Sequence, residues 1–296
     1  MIRLLFFIVI LGGFCLSSQG QTVKEPKPYT QDWAKPYAPF RIAGNLYYVG
    51  TYDLACYLVT SPQGHILINT GLAASADMIR KSVEQLGFKF SDIKILLTTQ
   101  AHYDHLGAMA AVQDMTGARF FVDRGDSAVV ADGGTSDYAL GGEDPVFRPV
   151  RIDKLLNDGD TISLGNNHLK LLHHPGHTQG SCSFLLDVKD EQKTWRVLIA
   201  NIPTIVTDKH FNDIPAYPHI ADDYAYTLDA MKALNFDIWV ASHAGQFDLH
   251  KKHKPGVRYN PAAFKDRVGY DEALKECRED FQKSTANSME QRKITR

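Results

Sequence analysis

The most informative segment of the chain reads Thr98-Thr99-Gln100-Ala101-His102-Tyr103-Asp104-His105-Leu106-Gly107. It follows a short apolar run at residues 93–98, which predicts a β-strand, and it precedes a helical pattern at residues 108–115. Two imidazoles and a carboxylate within four residues at such a strand end can converge on a borderline metal ion such as zinc. The alternative is that Asp104 caps the helix and that both histidines are solvated.

Two further segments favour the metal interpretation. The first, His173-His174-Pro175-Gly176-His177-Thr178-Gln179-Gly180-Ser181, lies between two predicted strands and contains Pro and Gly, which force a bend. The second, Ser242-His243-Ala244-Gly245, follows a predicted strand at residues 238–241. Three separate strand ends therefore present a histidine, and α/β proteins usually assemble their sites from such loops.

The rest of the chain mixes strand and helix patterns without a linker, which predicts one layered α/β domain over residues 21–296. Further strands are predicted at residues 46–49, 55–60, 65–68, 119–122, 169–172, 183–188 and 195–200. Further helices are predicted from apolar residues at helical spacing over 72–86, 220–234 and 270–281. The long irregular stretch at 133–153 is typical of a functional or disordered loop.

Composition excludes several classes of protein. The 296 residues include 32 Lys and Arg against 34 Asp and Glu, so no basic footprint of a nucleic-acid partner is present. The charged fraction of 22% and the hydrophobic fraction of 44% are ordinary for a globular protein. Four cysteines are too few for a disulfide scaffold.

Residues 1–20 are typical of a secretory signal peptide. Arg3 gives a positive start, an apolar run follows at residues 4–16, and Ser18 and Gly20 are the small residues that precede cleavage. The alternative, a membrane anchor, needs a longer run, so we expect a periplasmic or secreted protein without a membrane partner after cleavage. Pairing among the remaining cysteines stays open; they are Cys56, Cys182 and Cys277.

Taken together, these motifs resemble the metallo-β-lactamase superfamily, whose first motif is usually His-x-His-x-Asp-His. Other segments resemble its subclass B3 in particular, namely Asp32-Trp33, Tyr47-Tyr48-Val49-Gly50, Ala131-Asp132-Gly133-Gly134, Asp158-Gly159-Asp160 and Tyr217-Pro218-His219. Gln100 stands where the first histidine is usual, as in the GOB type of B3 enzyme. The resemblance covers essentially the whole mature chain and implies an αββα sandwich.

The resemblance also implies one or two zinc ions per chain. By position, the ligands of one zinc are Gln100, His102 and His177, and those of the other are Asp104, His105 and His243. Asp104 is also expected to orient a zinc-bound hydroxide. An amide oxygen is a poorer zinc ligand than imidazole, so the site with Gln100 should be the weaker one. Alternatively, Gln100 forms a hydrogen bond nearby and leaves that metal with two protein ligands.

Other residues receive less specific roles. Asn69, where the superfamily usually has Asp, and His174 are expected to orient ligands. By the resemblance, the substrate contacts fall at Ile202, Thr204 and Trp33. The remaining histidines are expected on the surface or in loops; they are His65, His168, His210, His250 and His253.

The function implied by the resemblance is zinc-dependent hydrolysis of the β-lactam amide of penicillins, cephalosporins and carbapenems, which confers antibiotic resistance. One alternative is a lactonase or thioesterase of the same fold, but residues 198–205 lack the carboxylate that bridges both metals in many of those enzymes. The other alternative is a secreted zinc-binding protein without catalysis. We expect a small-molecule substrate and a monomer.

Overall fold

The computed structural model describes residues 22–294, with side chains up to residue 285. The predicted signal peptide, residues 1–20, lies outside the described residues. Two β-sheets face each other, and helices cover both outer faces, which confirms the predicted αββα sandwich. Across the described residues, no helix is both long enough and apolar enough to cross a lipid bilayer.

The first sheet has seven strands in chain order, and its last three neighbouring pairs are parallel. Its strands are β1 (Phe40–Ala43), β2 (Leu46–Tyr48), β3 (Tyr57–Val59), β4 (His65–Ile68), β5 (Ile93–Leu97), β6 (Arg119–Asp123) and β7 (Lys154–Leu156). The second sheet has the order β12-β11-β10-β9-β8. Its strands are β8 (Thr161–Leu164), β9 (Asn167–His173), β10 (Cys182–Lys189), β11 (Thr194–Ala200) and β12 (Ile238–Ala241).

Side-chain alternation explains how the first sheet separates two cores. In β4, Ile66 and Ile68 face the core between the sheets, whereas Leu67 faces the helices on the outer side. In β5, Ile95 and Leu97 likewise face the core between the sheets, whereas Leu96 faces the helices on the outer side. Because both faces of these strands are buried here, residues 66–68 and 95–97 are uninterrupted apolar runs.

The helices pack on the two outer faces. Helix α1 (Ala76–Gln85) and helix α3 (Met109–Thr116) cover the first sheet, and α3 ends at Gly117 in the left-handed conformation, with φ 69°. Helices α5 (Ile220–Lys232) and α7 (Arg267–Ile294) pack against each other beside β12. The short helices are α2 (Tyr103–Leu106), α4 (Ser127–Asp132) and α6 (Leu249–Lys252).

The predicted strands and long helices are all present, with ends shifted by a few residues. Six strands and α-helices of the described residues are absent from the prediction, namely β1, β7, β8, α2, α4 and α6. They are three to six residues long and too short for a clear period. Residues 133–153 contain no helix or strand, as predicted, but they are packed through the buried side chains of Phe147 and Val150.

The burial of one histidine and of the three described cysteines differs from, or adds to, what the sequence indicates. His65 is expected on the surface or in a loop, and this prediction is wrong. The residue begins β4, is buried, and packs edge-on against Phe88 with ring centroids 5.1 Å apart. Among residues 22–294, Cys56, Cys182 and Cys277 are all buried and unbridged.

Candidate metal centre

Loops from both sheets meet at one edge of the sandwich. The loop after β5 carries Gln100 and His102, and the turn after β9 carries His177. His243 is the second residue after the end of β12. Backbone hydrogen bonds join these loops: the Cys182 amide donates to the Thr99 carbonyl at 2.9 Å. The carboxyl ends of β5 and β12 thus converge, as strand ends in α/β sites commonly do.

Asn69 supports the backbone of the first loop. It adopts φ 62°, and its Oδ1 accepts from the Thr99 amide at 2.9 Å and from the Thr98 hydroxyl at 3.2 Å. Its Nδ2 donates to the Ala55 carbonyl at 3.4 Å. These bonds fix the chain immediately before Gln100, and asparagine is one of the few residues that tolerates this left-handed backbone conformation.

Asp104, His105 and His243 form a compact group of potential ligands. One ligand atom from each lies within 4.8 Å of the others. Oδ2 of Asp104 lies 3.2 Å from Nε2 of His105 and 3.4 Å from Nε2 of His243. Asp104 and His105 are buried, and neither ring nitrogen of His105 has a hydrogen-bond partner among the described residues. One carboxylate and two imidazoles are the donor set that zinc takes in proteins.

The group is strongly coupled electrostatically. Burial opposes ionisation of Asp104, but the adjacent His105 and His243 outweigh it and hold the pKa of this carboxyl well below its usual range. Burial likewise lowers the pKa of His243, yet hydrogen bonds to Asp104 and Asp53 raise it to about 9. In the absence of metal the group therefore retains a proton that a metal ion would displace.

Gln100, His102 and His177 are the other three predicted ligands, and they line the same cleft as Asp104. The rings of His102 and His177 are 4.9 Å apart. His177 Nδ1 donates to the Thr204 carbonyl at 2.7 Å, which leaves Nε2 as the free acceptor. Nε2 of His177 and Oε1 of Gln100 are buried without a protein partner in the described part of the chain. Buried polar atoms need a partner, and a metal ion provides one.

Two aspartates that contact the ligands were not predicted. Asp137, from the long loop 133–153, places Oδ2 3.4 Å from Nε2 of His102 and is itself held by the amides of Ala139 and Leu140. Asp53 contacts His243 at 3.0 Å. Asp53 is 190 residues from its histidine along the chain, so only the folded structure brings the two together.

A cleft of about 400 Å³ opens above these side chains. Trp33 and Thr204 line the cleft, together with Thr207, which the sequence did not single out. Ile202 was expected as a substrate contact, but this apolar side chain is buried in the core between the sheets and does not line the cleft. The prediction for Ile202 is therefore wrong. In the segment after β11, the residues that line the cleft are those from Thr204 to Asp208.

His174 lies behind the site. Its Nδ1 is 2.8 Å from the Ser183 hydroxyl, and that hydroxyl also accepts from the Asn201 amide at 3.0 Å. Burial lowers the pKa of His174 to about 4, so the ring is neutral. The side chain connects the turn after β9 with the segment after β11 and does not line the cleft.

The chain is similar to solved structures of known enzymes. It is 62% identical to the class B3 di-zinc metallo-β-lactamase LRA-12 from an Alaskan soil metagenome, with a TM-score of 0.88, covering 88% of this chain and 99% of that one. It is 53% identical to the metallo-β-lactamase GOB-18 from Elizabethkingia meningoseptica, with a TM-score of 0.89, covering 90% and 99%. It is 56% identical to a β-lactamase from Chitinophaga pinensis, with a TM-score of 0.87, covering 88% and 99%.

A sequence model described as the metallo-beta-lactamase superfamily matches residues 50–190. The chain belongs to this superfamily and, within it, to class B3. It spans about two thirds of the length of the first curated relative that it matches and about a third of the next two. The third is the hydroxyacylglutathione hydrolase of Maricaulis maris, which is 30% identical over 36% of this chain.

Proposed function

We propose that this protein hydrolyses the amide bond of β-lactam antibiotics and that zinc held by the six side chains of the metal centre is required. The observation that carries the proposal is the group of Asp104, His105 and His243 beside unpartnered polar atoms of Gln100 and His177, all below one cleft and all buried except the partly exposed His243. The 62% identity to a class B3 di-zinc enzyme supports the same chemistry.

The donor set fits one or two zinc ions. Asp104, His105 and His243 would hold one, and His102, His177 and the amide oxygen of Gln100 would hold the other. When bound, zinc would supply an activated water near neutral pH and a Lewis acid for the lactam carbonyl. Because amide oxygen is a weaker ligand than imidazole, the site with Gln100 is the weaker of the two.

Asp104 has the central part in the reaction. Its buried carboxylate is ionised, because the neighbouring histidines keep its pKa low. It could therefore accept a hydrogen bond from the attacking water and orient that water towards the lactam carbonyl. No serine nucleophile is needed, so no acyl-enzyme forms.

The cleft positions the substrate. Trp33 provides an apolar wall, and the hydroxyls of Thr204 and Thr207 are the polar groups on the segment after β11 that can approach a substrate carboxylate. Because no acyl-enzyme forms, a carbapenem cannot stall the protein as a slowly hydrolysed ester. We therefore propose a broad range that includes penicillins, cephalosporins and carbapenems, and thus resistance to these antibiotics in the cell.

A lactonase or thioesterase activity is the alternative, supported by the similarity to a hydroxyacylglutathione hydrolase. The segment 198–205 lacks a carboxylate that could bridge two metals, and Asp208 is the first acidic side chain to follow it. Asp208 lines the cleft and is exposed, unlike the buried Asp104.

Steady-state rates on five substrates distinguish these activities. The purified zinc-loaded protein is assayed with a penicillin, a cephalosporin, a carbapenem, an acyl-homoserine lactone and a glutathione thioester. We expect turnover of all three β-lactams and insensitivity to clavulanate, which acts on serine enzymes. Faster turnover of the lactone or thioester than of any β-lactam would contradict the proposal.

We also propose that the mature protein is a periplasmic or secreted monomer, released by cleavage after Gly20. The support is the signal-peptide pattern of residues 1–20. Amino-terminal sequencing of the protein recovered from a periplasmic extract should read from Gln21, and sedimentation should give one chain.

A further inference from the structure

A turn beside the metal centre carries a carboxylate that lies outside the six predicted ligands. Oδ2 of Asp53 lies 3.0 Å from Nδ1 of His243 and also accepts a hydrogen bond from Nε1 of Trp33 at 3.0 Å. Its other oxygen accepts from the Gly245 amide at 3.1 Å. Both carboxylate oxygens are thus engaged on the side of His243 that faces away from Asp104.

This turn is fixed by the amino-terminal arm. The Tyr52 amide donates to the Lys35 carbonyl at 2.7 Å, and Pro36 and Thr51 form an isolated β-bridge. Within the turn, the Leu54 amide donates to the Thr51 hydroxyl at 2.8 Å. The arm that carries Trp33 and the turn that carries Asp53 therefore hold each other in place.

The indole of Trp33 is held in turn by aromatic neighbours. It is 7% exposed, its ring centroid lies 5.6 Å from that of His243, and Tyr103 lies on another side at 6.2 Å. A buried indole N–H requires an acceptor, and Asp53 is that acceptor. The bond fixes the rotamer of the Asp53 carboxylate.

The arrangement determines which nitrogen of His243 is available to a metal. Nδ1–H points to Asp53, so Nε2, the nitrogen 3.4 Å from Asp104, is the one that would ligate a metal after losing its proton. A carboxylate behind a ligating histidine fixes the orientation of the ring and strengthens it as a ligand. Loss of such a partner typically weakens metal binding by about 10-fold to 100-fold.

We propose that Asp53 and Trp33 act as a positioning pair, through which the amino-terminal arm fixes His243 and sets the metal affinity of the Asp104–His105–His243 site. The inference rests on the proposed zinc-dependent function. Neither residue needs to touch the reacting atoms for this role.

The test measures binding of cobalt(II) to the metal-free full chain by its visible absorption. We expect Asp53→Ala to weaken binding of the tighter cobalt equivalent by about 10-fold to 100-fold. Asp53→Asn keeps an acceptor oxygen without the charge and should give a smaller loss. Trp33→Phe keeps the aromatic packing but removes the N–H, and should weaken binding by roughly threefold, a smaller change than loss of the carboxylate.

A matched control pair exists at the opposite end of β11 from the cleft. Nε1 of Trp195 donates to Oδ2 of Asp190 at 2.6 Å, the same indole–carboxylate bond without a metal ligand behind it. Asp190→Ala and Trp195→Phe should leave cobalt affinity unchanged. The His243 Nδ1 proton should also give a slowly exchanging NMR signal that Asp53→Ala abolishes.

The outcomes separate the two proposals. Unchanged cobalt affinity in folded Asp53→Asn and Trp33→Phe would overturn the positioning role, even if Asp53→Ala failed to fold. A wild-type protein that binds cobalt and hydrolyses nitrocefin while these variants bind equally well would overturn only this inference. A wild-type protein that does neither would overturn the proposed function itself.

Discussion

Among the proposed ligands, Asp104 and Gln100 differ most in the charge and donor strength that their side chains offer to a metal ion. Asp104 is ionised and lies between two imidazoles, whereas Gln100 offers one neutral amide oxygen. We therefore expect Asp104→Ala and His243→Ala to reduce kcat by about 100-fold or more. Gln100→Ala should cost less, because it removes the weakest donor. Steady-state kinetics with saturating zinc would measure the ranking, and it is wrong if Gln100→Ala is the most damaging of the three.

Gln100→His tests the weaker site from the opposite direction. The substitution restores the imidazole that the superfamily commonly has at this position, so metal affinity of that site should rise by roughly tenfold, about 1.4 kcal/mol. Competition with a chromophoric chelator measures this affinity. Gln113→His, at a buried glutamine that bonds Asp153 on the outer helical layer, is a matched control that should leave it unchanged. An unchanged affinity in Gln100→His would mean that residue 100 does not face the metal.

Among the elements, the turn after β9 tolerates little change at Gly176. Gly176 adopts φ 129°, and a Cβ there would lie 2.9 Å from the ring of Tyr224. Gly176→Ala should therefore destabilise the fold by about 1–3 kcal/mol and weaken metal binding through the adjacent His177. Gly256→Ala is the matched control, because φ is 85° but a Cβ would contact nothing within 4 Å. Denaturant unfolding compares the two, and equal losses would contradict the role assigned to Tyr224.

The same elements explain what could be predicted from the sequence. Apolar runs at residues 95–97 and 238–241 precede the first and third motifs, and the second motif contains Pro and Gly between two strands. Local pattern was therefore sufficient to place the three histidine-bearing loops at strand ends. The partners of those histidines were not predictable in this way. Asp53 and Asp137 reach His243 and His102 through tertiary folding, across 190 and 35 residues of chain, and no local period marks them. The prediction that Ile202 contacts substrate failed because alignment to a family pattern does not determine the direction in which a side chain points.

At the scale of the whole molecule, each proposed metal site draws on both halves of the sandwich. Gln100, His102, Asp104 and His105 follow β5 of the first sheet, whereas His177 and His243 follow β9 and β12 of the second. The two sheets pack through one shared apolar core, so their relative position sets the distances within the centre. The metal centre is therefore a property of the complete domain, and catalysis should depend on metal without any contribution from a protein nucleophile.

The most direct measurement of this central claim is the rate of nitrocefin hydrolysis by the full mature chain before chelation, after EDTA, and after zinc is added back. The structure offers buried imidazole, carboxylate and amide donors below the cleft and thus a site that needs metal to supply the attacking oxygen. We predict that EDTA abolishes turnover and that zinc restores it. Sustained turnover by protein shown to be free of metal would contradict the account.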